Sequence, residues 1–158
     1  MMQISVKDKL LKALEKLQSE DRYLIENGVN ERSISHKLAE YLQVEFPDYN
    51  VECEYSRDGS YPKKLELPID QDRPDWDDTA ARTVYPDVIV HKRGKQDENL
   101  LVIEIKKESN PMGANFDNQK LKAFVDQLCY RQTAFITFET KAPPEKGYEL
   151  DFNNPGRR

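Results

Sequence analysis

The sequence predicts an α/β domain: a mixed central sheet with helices on both of its faces. Two observations carry that expectation. The periodicity of the apolar residues runs helix, helix, strand, strand, strand, helix, strand along the chain. The three most apolar segments, VYPDVIVHK (84–92), NLLVIEIKK (99–107) and TAFITF (133–138), are short and β-branched, as buried strands are. A length of 158 residues then suits one compact domain with one hydrophobic core.

From Val6 to about Asn27, Val6, Leu10, Leu14 and Leu17 recur at three- and four-residue spacing, so an amphipathic helix is expected, stopped by Gly28. Asn30 is a good N-cap, and Ile34, Leu38, Tyr41 and Leu42 form the stripe of a second helix over roughly 31–44, closed before Pro47. Tyr49 to Tyr55 alternates, with Tyr49, Val51, Cys53 and Tyr55 on one face and Asn50, Glu52 and Glu54 on the other, which predicts a half-buried strand. Residues 56–83 hold Gly59, three prolines and an acidic run from Asp70 to Asp78. They read as a long loop insertion with a strand piece around Lys64 to Leu67, and with Trp76 as an anchor to the body or a stacking platform.

A polar link containing Gly94 joins 84–92 to 99–107, which predicts an antiparallel hairpin. Asn115 to Arg131 carries Phe116, Leu121, Phe124, Val125 and Leu128 at helical spacing, and 133–138 follows as a strand. If that helix is a crossover, the strands on either side of it run parallel. Residues 139–158 read as a polar tail.

Composition excludes several classes. Lys and Arg total 24 against 29 Asp and Glu, a formal charge of -5, which argues against coating nucleic acid without specificity. No apolar run approaches the roughly 20 residues that cross a bilayer, and the start lacks a signal-peptide core, so neither membrane insertion nor secretion is expected. Cys53 and Cys129 lie far apart with no Cys/His cluster, which fits a reducing cytoplasm rather than a zinc site or a disulfide framework.

The chemistry concentrates at Asp87, Glu104 and Lys106. Residues i and i+2 of a strand share a face, so Glu104 and Lys106 project together, about 6.5 to 7 Å apart, in line with Leu100 and Val102. A buried strand ending in Glu-Ile-Lys must reach solvent there or pair its charges. If the hairpin forms, Asp87 joins them, and Glu31 at the start of the second helix can add a third carboxylate. Clustered carboxylates repel one another, and a hard divalent cation, Mg²⁺, Mn²⁺ or Ca²⁺, is the common remedy. Such a site suits phosphodiester hydrolysis, with Lys106 orienting or deprotonating a water and stabilising the charge of the transition state. The alternative is a cross-strand salt bridge worth about 0 to 1 kcal/mol.

Pro86-Asp87 followed one hairpin later by Glu104-Ile105-Lys106 resembles the motif of the PD-(D/E)XK, or restriction-endonuclease-like, nuclease superfamily. The inferred order over Asn30 to Phe138 resembles its αβββαβ core, with an extra N-terminal helix in front. The resemblance implies that Asp87 and Glu104 ligate Mg²⁺ or Mn²⁺ together with the Ile105 carbonyl. Glu31 becomes an outer or second-metal carboxylate and Lys106 the catalytic lysine. Many members carry a Gln-x-x-x-Tyr-like pair in the next helix, where this chain offers Gln127 and Arg131, or Gln119 and Lys120.

The expected function is therefore a metal-dependent nuclease acting on nucleic acid, with DNA favoured, and specificity drawn from the loop 56–83, a homodimer or a partner protein. Arg57, Lys63, Lys64, Lys107 and Lys120 are candidate phosphate contacts. A catalytically inactive module for nucleic-acid binding or protein assembly is the alternative, and a hydrolase of nucleotides or cyclic oligonucleotides a third. His36 and His91 read as surface or strand-face residues, and the cysteines as small hydrophobes.

Overall fold

A computed structural model describes residues 4–27, 30–55, 57–58, 61–62, 64–65, 82–83, 85–107, 114–139 and 147–155. Helix α1 (Val6–Glu20) starts where the Ser5 side chain accepts the Asp8 N–H at 3.1 Å, and it buries Leu10, Ala13, Leu14 and Leu17. The sequence predicts one helix to about Asn27, but the backbone leaves helical geometry at Asp21 (φ -124°, ψ 31°) and restarts as α2 (Arg22–Glu26). Two contacts hold the break: the Asp21 N–H still donates to the Leu17 carbonyl, and its carboxylate takes the Tyr41 hydroxyl. The turn puts Ile25 in the core and leaves Leu24 half-buried. Helix α3 (Glu31–Glu45) keeps the predicted boundaries, with Asn30 Oδ1 accepting the Ser33 N–H at 2.9 Å and Ile34, Leu38, Ala39 and Leu42 facing inward.

Strand β1 (Asn50–Cys53) pairs antiparallel with Val88–His91, the sixth strand in chain order. Between them come two short antiparallel pairs, β2 (Arg57–Asp58) with β3 (Tyr61–Pro62) and β4 (Lys64–Leu65) with β5 (Arg82–Thr83). The rest of the predicted 56–83 loop, Trp76 and the acidic run included, lies outside the described residues, as does Lys63. The predicted hairpin forms as β6 (Val88–His91) and β7 (Leu101–Lys107), antiparallel, around Gly94 at φ 75°. Helix α4 (Ala114–Leu128) crosses over to β8 (Gln132–Phe138), which lies parallel to β7. The helix stops short of the predicted Arg131 because Cys129 takes a left-handed φ of 60°. A fifth strand of the main sheet, β9 (Tyr148–Asn153), pairs antiparallel with β8 and completes the order β1-β6-β7-β8-β9. The predicted polar tail therefore contains a strand: Tyr148, Leu150 and Phe152 alternate onto the main core while Glu149, Asp151 and Asn153 point away.

Alternation along β7 splits the core into two. Leu101, Ile103 and Ile105 meet α1 and α3 together with Val88, Val90, Ala134, Ile136 and Phe138. Val102 and Ile89 meet Leu121, Phe124 and Leu128 of α4 and Tyr130 just beyond it. One expected facing is wrong. Tyr55 does not follow Val51 and Cys53 but packs on the α4 side, because Glu54 adopts φ 51° and inverts the alternation. Tyr55 there packs at a tilt against His91, whose side chain is 3% exposed with Nε2 2.6 Å from Glu52 Oε2, so His91 is a buried strand-face residue rather than a surface one. His36 is exposed and pairs with Glu40 at 2.9 Å. Among the described residues no helix is long and apolar enough to cross a membrane.

Candidate active site

The motif residues meet where β7 outruns β6. The last β6–β7 partners are Val88 and Ile103, so beyond that point the β7 edge offers its amides to side chains. Asp87 Oδ2 accepts the Ile105 N–H at 2.7 Å, and two residues on Glu31 Oε1 accepts the Lys107 N–H at 3.2 Å. Within one strand residue the N–H and C=O point to the same edge, so the Ile105 carbonyl lies between the amides that these two carboxylates occupy. Glu104, on the α4 face, turns back to the hairpin, and its Oε2 accepts the Asp87 N–H at 2.9 Å. Asp87 and Glu104 thus interlock, each carboxylate bonded to a backbone amide of the other strand.

Electrostatics mark this pair. Glu104 is 1% exposed. Burial, and then the neighbouring Glu104 charge, push the Asp87 carboxyl from 3.8 up to about 9, which outweighs the Ile105 amide and Lys120. Lys120, in the second turn of α4, places its ammonium against Glu104 Oε1 and donates to the Tyr85 carbonyl at 3.0 Å. Burial opposes that charge, yet Glu104, Asp87 and Asp117 outweigh it and hold the Lys120 pKa above the ordinary lysine value.

Lys106 shares the Glu104 face as predicted, and it donates to Asp117 Oδ2 at 3.2 Å. Burial, then the Glu104 charge, raise the Asp117 pKa. Asp117 is a residue that the sequence reading missed. Its signal was positional: it lies in the first turn of the helix after the motif, three residues before Lys120, so both side chains share one helix face.

Of the sequence candidates, the structure joins Asp87, Glu104, Ile105, Lys106 and Lys120, and sets Glu31 one step further along the same edge. Lys107 contributes its amide to Glu31 and is half-buried. Arg57 and Lys64 lie in the short β2 and β4 strands. Between the two helix pairs, Lys120 reaches the carboxylates, whereas Arg131 Nη2 donates to the Asp97 carbonyl at 3.2 Å, at the other end of α4. Among the described residues no three His, Cys, Asp or Glu side chains gather into a metal-holding group, so the expected convergence of Glu31, Asp87 and Glu104 on one point is replaced by a row along the β7 edge.

The donor set nevertheless fits a hard cation. Burial, and then the neighbouring Glu104 charge, raise the Asp87 pKa, a cation would offset both costs, and a backbone carbonyl lies on the same edge. Comparison with protein-family models, with curated proteins and with solved structures gives no match to this chain.

Proposed function

We propose that the chain is a metal-dependent nuclease that hydrolyses phosphodiester bonds, with DNA as the favoured substrate, and that α3, β1, β6, β7, α4 and β8 are a restriction-endonuclease-like core. The observation that carries this reading is the interlocked Asp87–Glu104 pair at the β7 edge beyond the last β6 partner, with Lys106 on the Glu104 face. Two carboxylates buried against each other are costly unless a cation or a catalytic task retains them.

In this reading Asp87, Glu104 and the Ile105 carbonyl hold Mg²⁺ or Mn²⁺, with Glu31 as the outer carboxylate. A bound ion supplies Lewis acidity and neutralises charge at the scissile phosphate. The Ile105 amide orients Asp87 by donating to its Oδ2, and the Asp87 amide does the same for Glu104 Oε2. Asp117 fixes the Lys106 ammonium at 3.2 Å, which limits its rotamers and aims its remaining N–H donors at a phosphate oxygen as negative charge builds there. Tyr85, 57% exposed beside Pro86, offers a ring on which a base can stack.

One observation favours the second reading, a catalytically inactive module: the Lys120 ammonium lies against Glu104 and balances its charge from within the chain. Incubating wild type and Glu104→Ala with single-stranded DNA, duplex DNA and RNA in Mg²⁺ or Mn²⁺ separates the two. The nuclease reading expects cleavage that requires the metal and disappears in the variant. Metal-independent cleavage, cleavage that survives the substitution, or none at all overturns it.

A further inference from the structure

Lys120, expected from the sequence as a phosphate contact, pairs instead with the buried Glu104. Its side chain is 14% exposed and that of Glu104 is 2% exposed, so this is an ion pair largely withdrawn from water. Asp117 and Lys106 satisfy each other at 3.2 Å. That leaves Glu104 Oε1 to Lys120, while Glu104 Oε2 is held by the Asp87 amide. Without the ammonium, Glu104 would be a buried charge beside a second carboxyl, an arrangement proteins avoid. Lys120 therefore supplies at Glu104 the positive charge that a divalent cation would bring in its place.

We propose that Lys120 is a resident counter-cation that competes with the divalent ion for Glu104, so that metal loading expels its ammonium from the site. The inference rests on the reading of Asp87 and Glu104 as metal ligands. The competition follows from charge and space: an ammonium and a divalent ion bound at the same buried oxygen repel each other in a medium that screens them poorly. The chain also provides a destination. Asp117 lies three residues earlier on α4 and shares the helix face with Lys120, and the lysine stem is long enough to turn toward it or toward solvent. Besides the Glu104 contact, the Tyr85 carbonyl bond, at 3.0 Å, is given up on the way. Such an arrangement keeps the motif folded at low metal concentration and sets a threshold for loading.

Two measurements test this. In the first, Mn²⁺ affinity is read by titration calorimetry for wild type, Lys120→Met and Glu104→Gln. Competition expects Lys120→Met to bind Mn²⁺ about tenfold or more tighter than wild type, a change of about 1.4 kcal/mol per factor of ten, and Glu104→Gln to lose binding. Equal or weaker binding by Lys120→Met, with wild type still binding, overturns the competition and leaves the metal site standing. No binding by either protein overturns both. In the second, which needs no variant, the Lys120 amine of wild type is acylated and located by mass spectrometry. Its reactivity should rise several-fold in Mg²⁺ relative to EDTA. Unchanged or lower reactivity in saturating Mg²⁺ contradicts the expulsion.

Discussion

Replacing Asp87 with asparagine separates the charge of this residue from its hydrogen bonds. In the Asp87→Asn variant the side-chain carbonyl can accept the Ile105 N–H, the side-chain amide can donate to Glu104 where the carboxyl now does, and the backbone N–H keeps its bond to Glu104 Oε2, so the interlock keeps its shape while the titration disappears. In wild type the Asp87 carboxyl moves from 3.8 in the unfolded chain to about 9 in the fold. Below about pH 4 both states hold the proton and the group contributes nothing to the pH dependence. Between there and about pH 9 the folded state retains a proton that the unfolded state has released, so stability falls as pH rises, by about 1.4 kcal/mol per pH unit. Across about pH 5 to 8 that amounts to about 4 kcal/mol, lost by wild type and spared in Asp87→Asn. Asp117 titrates in the same direction in both proteins and drops out of the difference. Urea unfolding in EDTA at several pH values gives both curves. The variant should gain several kcal/mol on wild type across that range, and parallel curves would refute a proton held at Asp87.

Other substitutions probe the framework and the row of carboxylates. Leu38→Ala empties a fully buried position between α3 and its neighbours and should cost about 2–5 kcal/mol in denaturant unfolding. Asn99→Ala removes the buried bond from Nδ2 to the Leu128 carbonyl at 2.8 Å, which ties the end of α4 to the β7 entry, and should cost about 1–3 kcal/mol. Glu31→Gln keeps an acceptor for the Lys107 N–H and should change stability by less than about 0.5 kcal/mol, whereas Glu31→Ala should lose about 1 kcal/mol. Equal losses from the two Glu31 variants would contradict the assigned bond.

The strongly periodic elements were legible in the sequence. α3 follows from Asn30 and the Ile34–Leu42 stripe, and the β6–β7 hairpin from its two β-branched runs around Gly94. What escaped was set by single residues whose conformation depends on distant partners. Asp21 breaks α1 from α2 under a bond from Tyr41, far along the chain in α3. Glu54 inverts the facing of Tyr55 through one left-handed φ; β9 differs, because the alternation of Tyr148, Leu150 and Phe152 with Glu149, Asp151 and Asn153 is legible in the sequence, although the prolines before and after it suggest a tail. At the site, the i, i+2 rule correctly put Glu104 and Lys106 on one face. It gave no pairing, because which lysine meets which acid is decided by α4. Lys106 goes to Asp117 and Lys120 to Glu104, a choice visible only once the helix is docked on the sheet.

A crystal soaked in Mn²⁺ and measured at the manganese edge shows whether Asp87 and Glu104 bind a cation. The nuclease reading expects an anomalous peak within about 2.0–2.3 Å of oxygens from both residues, with the Lys120 ammonium withdrawn from Glu104. A map with no peak there at saturating Mn²⁺, and Lys120 still seated against Glu104, contradicts it.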